Sequence, residues 1–565
     1  MTALLTDNLP LLAGAPNGMK KLRELILELA VRGKLVPQDP NDEPASELLK
    51  RIAEEKAGLV AEGKIKKQKP LPEIDTENLP FSLPANWQWV RLGDSLEMIN
   101  GRAFKPTDWK NSGLPIVRIQ NLNRADAPFN YCDESDVDGR HIIGSGSILI
   151  SWSGTPGTSF GAFIWSRGRA ALNQHIFSCF QKGGAFFDRF LVLAINTRLD
   201  ELIAKAHGGV GLQHVTKGKL EALTLVVPPL AEQHRIVAKV DELMALCDRL
   251  EAQQADAKSA HAQLVQALLD SVTQAADAED FAASWQRLAE HFHTLFTTEP
   301  SIDALKQALL QLAVMGKLVP QDASDAPASE QLKRVELEKQ ATFNGRNRVE
   351  KLRPADADDE KPFTLPSQWV WARLGELAVN GPSNGFSPKP ASVETPYRCL
   401  TLSATTRGVF NNQCFKFVDI DTDTARKYFL KNGDLLIQRA NSIDYVGVSA
   451  IYDGADDQFI FPDLIMRIKI SECLDKYFIH CYLSSVAGRA YFRAHATGTQ
   501  GNMPKINQGT VVNAPVPIPP LAEQHRIVAK VDQLMALCDQ LKTRLTQARH
   551  FNEQLASALV AQAVA

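Results

Sequence analysis

The sequence predicts an α+β protein built as a tandem repeat, in which two long helices carry two domains with mainly antiparallel, twisted sheets. Three observations predict it. The stretch PPLAEQHRIVAKVDELMALCDRL at residues 228–250 returns at 519–541 with only Glu242/Gln533 and Arg249/Gln540 changed. Two shorter segments recur in the same order around it. Between the recurring segments lie blocks of short β-like runs separated by Gly, Asn and Asp, the punctuation of strands and turns.

Each copy of the long stretch opens with Pro-Pro, and proline suits the first helical position because its missing N–H would have no partner there. Glu232 and Glu523 then fall in the first turn, where the helix dipole favours negative charge. Apolar residues step by four and three through Ile236, Val240, Leu243, Cys247 and Leu250, and the same phase continues at Ala257, Leu264 and Leu268. The second copy runs Ile527, Val531, Leu534, Cys538, Leu541, Leu545, Ala548, Leu555 and Leu559. This spacing predicts two coiled-coil seams of about five heptads that pair with each other, in a direction the spacing leaves open. About 40 residues rising ~1.5 Å each give a rod of roughly 60 Å.

Taken in order, residues 19–34 have helical periodicity through Leu22, Leu25, Ile26 and Leu29, with Gly33 as a stop. Residues 22–51 match 305–334, each copy comprising a short helix, a GKLVPQ turn and a second helix from PASE. Charged stretches follow, 61–78 with Lys64, Lys66, Lys67 and Lys69, and 350–360. Both read as solvated tethers, with phosphate binding as the alternative for the first. FSLPANWQWVRLGD (81–94) parallels FTLPSQWVWARLGE (363–376). The blocks beyond have diverged, apart from a faint echo of GSILI at 146–150 in GDLLI at 433–437. Single helices are expected at 188–206 and 475–494. The boundaries expected are a helical scaffold segment and linker at 1–80, a first sheet domain at 81–227 and a long helix at 228–275. A second scaffold segment at 276–362, a second sheet domain at 363–518 and a second long helix at 519–565 complete the repeat.

Composition narrows the function. The chain has 565 residues, 44% hydrophobic and 22% charged, so it can bury several cores. A net charge of −3 means that any nucleic-acid surface must be a local patch. Eight cysteines without a CxxC pair, no basic start and no long apolar run read as a soluble cytoplasmic protein with reduced thiols. Catalytic motifs are missing. Every Pro-Pro precedes Leu, whereas an adenine methyltransferase loop needs an aromatic ring there to stack the flipped base. Gly218-Lys219 and Gly316-Lys317 lack the upstream glycine and the hydroxyl of a phosphate-binding loop. Pro462-Asp463 precedes Arg467-Ile-Lys469 without the acidic residue that a metal nuclease needs, and His291 and His293 have no further ligands nearby. No active site, metal or cofactor is expected.

The PPLAEQHRIVAKVDELMALCD helix, the LAVxGKLVPQ turn and the LPxxWxWxRLG motif resemble the specificity subunit of type I restriction-modification enzymes. The resemblance covers nearly the whole chain, twice, and is weak only inside the variable blocks. It implies two target-recognition domains, each reading one half of a split double-stranded DNA sequence, and an antiparallel coiled coil as spacer. It also implies two methyltransferase subunits and, in the full enzyme, restriction subunits, which carry the methyl-donor and nucleotide sites. A departure is that SALVAQAVA, the end of the second long helix, is not followed by another GKLVPQ segment. The alternative function is a coiled-coil adaptor indifferent to DNA sequence.

DNA reading needs Arg and Lys for phosphate and guanine, and Asn and Gln for adenine, on loops that reach a groove. In the first domain these are Arg102 and Lys105, then Arg118, Gln120 and Asn121, then Ser151 and Ser153 after a strand, and Gln174. Gln213, His214 and Lys217 belong to a glycine-rich loop. In the second they are Asn384 and Lys389, then Gln438, Arg439, Asn441 and Ser442, with Gln500, Lys505 and Asn507 in a second glycine-rich loop. The loops after Ile150 and Ile437 and the two glycine-rich loops are preferred, because both recur at equivalent places. Partner contacts are expected on the scaffold, at Glu232, Gln233, His234 and Arg235 and their copies Glu523, Gln524, His525 and Arg526, all read as exposed.

Overall fold

The computed structural model describes residues 9–62, 71, 73–75, 79–154, 160–198, 203, 213–342, 361–498 and 503–564. The chain forms two compact units, one made of residues up to Asp256 with those from Ala548 onward, the other of Ala257–Gln547. Among the described residues no helix is long and apolar enough to cross a membrane.

Each unit carries a short scaffold helix, Gly18–Val31 or Glu299–Val314. Gly33 and Gly316 follow at φ +69° and +72°, the left-handed conformation in which glycine carries no Cβ penalty. Added side chains there would lie 2.5 Å from Pro84 and 2.7 Å from Pro366, so the turn sits hard against the LPxxWxW motif.

The strand at the head of each sheet domain pairs antiparallel with the strand that leads into the long helix. Gln88–Arg91 lies on Thr224–Val227, and Val370–Arg373 on Pro515–Ile518. Inside this clasp both domains build the same four-stranded antiparallel sheet. Its order is Leu96–Asn100, Ile176–Gln181, Ile148–Ser151, Gly161–Ile164 in the first domain and Ala378–Asn384, Ile465–Ile470, Leu435–Gln438, Ser449–Ile451 in the second. The echo between GSILI and GDLLI is the third strand of each. The domains differ in what is added. The first has a second four-stranded sheet with one parallel pair, Leu114–Val117 on Ala170–Leu172, and the second has a hairpin, Tyr397–Leu400 with Phe415–Val418.

Three expectations change. The stretch LPIVRIQNL at 114–122, which reads as one β-like run, is strand only to Val117 and then turns into the helix Ile119–Asn123, started by the Asn121 side chain accepting the Arg118 N–H at 3.0 Å. The helix expected over 475–494 is two, Lys476–Ser484 and Val486–Ala494. It breaks where Ser485 leaves helical dihedrals and its Oγ caps the Gly488 N–H. The third concerns the long helices.

Those helices are Leu230–Thr273 and Leu521–Val564. Each starts in one unit and ends in the other, so the two run in opposite directions. Their seam is not one phase. Ile236, Val240, Leu243 and Cys247 are buried, but Leu264 is 53% exposed while Val265, Leu269 and Val272 are buried. Leu555 is likewise 37% exposed while Ala556 and Ala563 are buried. The phase slips by one residue in both helices, because a straight helix drifts against a seven-residue repeat and each half meets a different partner. In each unit that partner includes the short scaffold helix. Leu22, Leu25 and Leu29 share a core with Ile236, Val240 and Ala556, and Leu305 and Leu309 share one with Leu269 and Cys538. In each unit the long helices pack with shorter scaffold helices rather than as a bare two-helix coil.

Candidate nucleic-acid interface

In the first domain, main-chain bonds gather the candidate segments. The Gly101 N–H donates to Ile176 O (3.0 Å), Arg102 N–H to Leu172 O (2.8 Å), Asn173 N–H to Val117 O (3.1 Å) and Trp152 N–H to His175 O (3.4 Å). The stretches carrying Arg102, Arg118, Ser151 and Gln174 therefore lie side by side. The second domain repeats the pattern, with Gly385 N–H on Ile465 O (3.2 Å) and Phe386 N–H on Phe461 O (2.9 Å). Asn100-Gly101 and Asn384-Gly385 thus occupy one structural position in two unlike sequences. A Cβ on Gly101 would lie 2.2 Å from Asn173 O, and one on Gly385 2.2 Å from Phe461 O, so only glycine permits this approach. The equivalence of these Asn-Gly pairs escapes a sequence reading, because they stand at different distances from their RLG motifs.

The two preferred loops converge in each domain. Ser153–Gly154 pairs with Gln213–His214, and Val215 N–H reaches Trp152 O at 3.0 Å. In the second domain Ala440 bridges Lys505, Asn441 N–H reaches Pro504 O (3.3 Å) and Ile506 N–H reaches Arg439 O (2.9 Å).

Side chains divide the candidates. Lys105, Lys389, Ser442, Lys505 and Asn507 are exposed, although Asn507 caps the helix Gln508–Val512 by accepting Thr510 N–H at 2.8 Å. Lys217 is exposed but donates to Met98 O (2.9 Å) beside Glu221. Arg102, Arg118, Gln120, Gln174, Arg439 and Asn441 are half-buried. The Arg102 guanidinium meets Asp136 O and Asp108, Arg118 donates to Asn130 Oδ1 (3.0 Å), and Gln120 to Pro128 O (3.3 Å). The Gln174 amide lies 3.2 Å from His175 Nε2, Arg439 donates to Asp463 O (3.3 Å), and Asn441 to Gln438 Oε1 (2.8 Å).

Four expectations are corrected. Asn121 and Gln438 are 0% exposed, and Ser151 and Ser153 are 2% and 3% exposed. Asn121 holds its own loop through Ala127 O and Pro128 O. The Gln438 amide donates to Leu402 O, Thr405 Oγ1 and Thr406 Oγ1, each at 3.0 Å. The serines alternate with Trp152, and the period of two along a strand sends both inward and the tryptophan to the other face. Trp152 stacks on Phe177 and donates to Asn100 Oδ1 at 3.3 Å, a position the alternation itself could have revealed. The side chains of Gln213 and His214, and Gln500 with the linker lysines Lys64, Lys66, Lys67 and Lys69, lie outside the described residues.

The expected partner contacts are corrected more deeply. Glu232 and Glu523 are 1% and 0% exposed, and Gln233 and Gln524 are both 0% exposed. Glu232 accepts from Trp87 Nε1 (2.9 Å) and Gln38 Nε2 (2.6 Å); Glu523 accepts from Trp369 Nε1 (2.9 Å) and Gln321 Nε2 (2.5 Å). Gln233 Oε1 accepts the Phe187 N–H at 2.7 Å and Gln524 Oε1 the Asp475 N–H at 2.8 Å, the caps of matching domain helices. Arg235 pairs with Asp42 and Arg526 with Asp325, both at 2.6 Å. The motif therefore clamps long helix, GKLVPQ turn and sheet domain together in each unit, which is why its residues and those of the GKLVPQ and LPxxWxW segments repeat as a set. Burial holds both glutamate carboxyls above the usual range, opposed by the tryptophan and glutamine bonds. His234, on the Phe187 ring, and His525, 3.9 Å from Asp475, remain exposed.

The type I restriction modification DNA specificity domain matches residues 84–257 and 366–548. The chain is 38% identical over 562 residues to the specificity subunit of the type I restriction enzyme EcoEI of Escherichia coli, covering 96% of this chain and 93% of that protein. It is 37% identical over 562 residues to the EcoAI specificity subunit of the same species, covering 97% and 94%. Among solved structures, the HsdS subunit from Thermoanaerobacter tengcongensis aligns over 87% of this chain and 99% of that one, at 18% identity and a TM-score of 0.40.

Proposed function

Since the chain belongs to the type I restriction-modification DNA specificity family, a specificity subunit with two recognition domains, we propose that each sheet domain reads one half of a bipartite DNA site. The chain itself does no chemistry. It positions two methyltransferase subunits on that site, and restriction subunits join in the full assembly.

One observation carries this reading. In both domains, whose sequences have diverged, the loop after the third strand is hydrogen-bonded beside the segment that closes the glycine-rich loop. Such a shared frame with unlike side chains suits the reading of unlike base sequences. Arg439 and Lys505 lie on these bonded segments in the second domain, and Arg102 and Arg118 on neighbouring segments in the first, with Lys105 and Lys389 exposed a few residues further along; these are the donors that phosphates and guanines require. The overall charge of −3 is compatible, because binding needs only this local cationic edge.

The test is to co-express the chain with the methyltransferase subunit of its own system and map methylated adenines across the host genome. A single motif of two short blocks around a fixed gap is the expected result. Methylation that ignores this chain, or its absence, would favour the adaptor function.

A further inference from the structure

Both units carry the same groove between sheet domain and scaffold. In the first unit Leu27, Val192, Leu193 and Val240 line it, Asp241 stands on its rim, and its volume is about 290 Å³. The matched positions in the second unit are Leu310, His480, Cys481, Val531 and Asp532, in a cavity of about 960 Å³. The glutamine bonds to Phe187 and Asp475 set the domain helices in the same register, which pairs Val192 with His480 and Leu193 with Cys481. Ile164 and Ile451, each at the end of the sheet's edge strand, close the same side. The scaffold contributes identical residues to both grooves, and at these positions the diverged domains keep a lining of mainly apolar side chains. One surface kept twice suits one partner taken twice.

The grooves differ on the rim. In the first, Arg189 reaches across to Asp241 with two contacts of 2.7 Å. In the second, Tyr477 stands where Arg189 would, and Asp532 has no ion-pair partner among the described residues. Tyr477 and nearby Val486 are 49% and 56% exposed at this opening.

We propose that these grooves dock the two methyltransferase subunits and fill unequally, the open groove of the second unit before the latched groove of the first. This rests on the reading that two copies of one subunit bind. The occupant presents an apolar side chain to the groove floor and a neighbouring Lys or Arg to the rim carboxylate. Asp532 is ready to receive that cation, whereas Asp241 must first release Arg189. An exposed ion pair of this kind shifts an equilibrium by up to about fivefold.

Hydrogen exchange on the full chain, with the methyltransferase subunit added at less than one equivalent, reads each groove separately. Protection over residues 476–486 is expected to exceed that over 188–196 by up to about fivefold. Arg189→Tyr should remove the difference, and Tyr477→Arg, which offers Asp532 a latch, should lower protection in the second unit. Both side chains are exposed, and thermal melts check that the variants fold. Equal protection in the parent chain, or a complex that protects neither groove, would overturn the order of filling. If no complex forms at any ratio, the two-subunit reading itself fails, and the inference with it.

Discussion

A buried glutamate that holds a tryptophan N–H, repeated in each unit, makes residue-level predictions that separate folding from reading. Glu232→Ala would leave the Trp87 Nε1–H, in a side chain 2% exposed, without an acceptor. Such an orphaned donor costs about 1–3 kcal/mol, which urea denaturation of the first unit should register. The carboxyl also has a pH signature. Its folded pKa is raised, so the folded state holds the proton more tightly than the unfolded chain does. Its contribution is therefore most favourable at acid pH and declines as pH rises from the ordinary glutamate value toward the raised one. Melting temperatures of the parent and of Glu232→Gln/Glu523→Gln, taken from about pH 4 to 7, should diverge in the variant's favour across that window. The offset between the curves reports the hydrogen bonds and their divergence reports the carboxyls; parallel curves would dismiss the raised pKa. Neighbours in the second domain offer the contrast. Gln438→Ala should lower stability, because Gln438 ties its loop to Leu402, Thr405 and Thr406. Arg439→Ala, which loses one 3.3 Å bond to Asp463 O, should lower melting less than Gln438→Ala does and weaken DNA binding by about 1–3 kcal/mol if it reads a base, or reduce the salt slope by about one if it meets a phosphate.

At the scale of elements, the position of each recognition segment depends on close backbone approach. Gly101 and Gly385 let the strands ending at Asn100 and Asn384 pass against the carbonyls of Asn173 and Phe461. Gly101→Ala forces these apart at a cost of about 1–3 kcal/mol, as for other overpacked sites. The disturbance should stay local. Methylome mapping is expected to show the half-site read by the first domain degraded and the other intact, with the mirror result for Gly385→Ala. Loss of both blocks from either variant would mean that the glycines support something shared. The sheet domains, the matched strand at 146–150 and 433–437 and the scaffold helices were legible from turn punctuation, repetition and helical spacing, whereas the clasp was not, because two strands more than a hundred residues apart carry no local mark of their pairing. The break at Ser485 was not, because a serine reads as helix-compatible until its hydroxyl finds the Gly488 N–H. Nor was the slip of the long-helix seam, since Leu264 and Val265 are equally apolar and only the neighbours decide which is buried.

Across the whole chain, the first unit is completed by residues far away in sequence. Ala556 and Ala563 belong to the core built on Leu22, Leu25 and Ile236, and Lys21 donates to Ser557 at 2.7 Å. Deleting residues 548–565 should therefore destabilise the first unit although its own domain begins hundreds of residues earlier. Hydrogen exchange is expected to speed up over 18–31 while 299–314 keeps its protection. Equal loss in both would show that the two units unfold together.

Sequence alone determined the repeat, the pair of sheet domains, the long helices and the family resemblance, because each of these is written as local periodicity or as near-identity between copies. It also named the loops that the fold brings together. Tertiary structure decided which polar residues are free to act. Glu232, Gln233, Asn121 and Gln438 have the composition of contact residues and are instead consumed inside the fold, as are their scaffold copies. The reason is physical: a polar side chain looks the same in sequence whether its partner is DNA, another subunit or a buried N–H, and only burial with a satisfied hydrogen bond tells them apart.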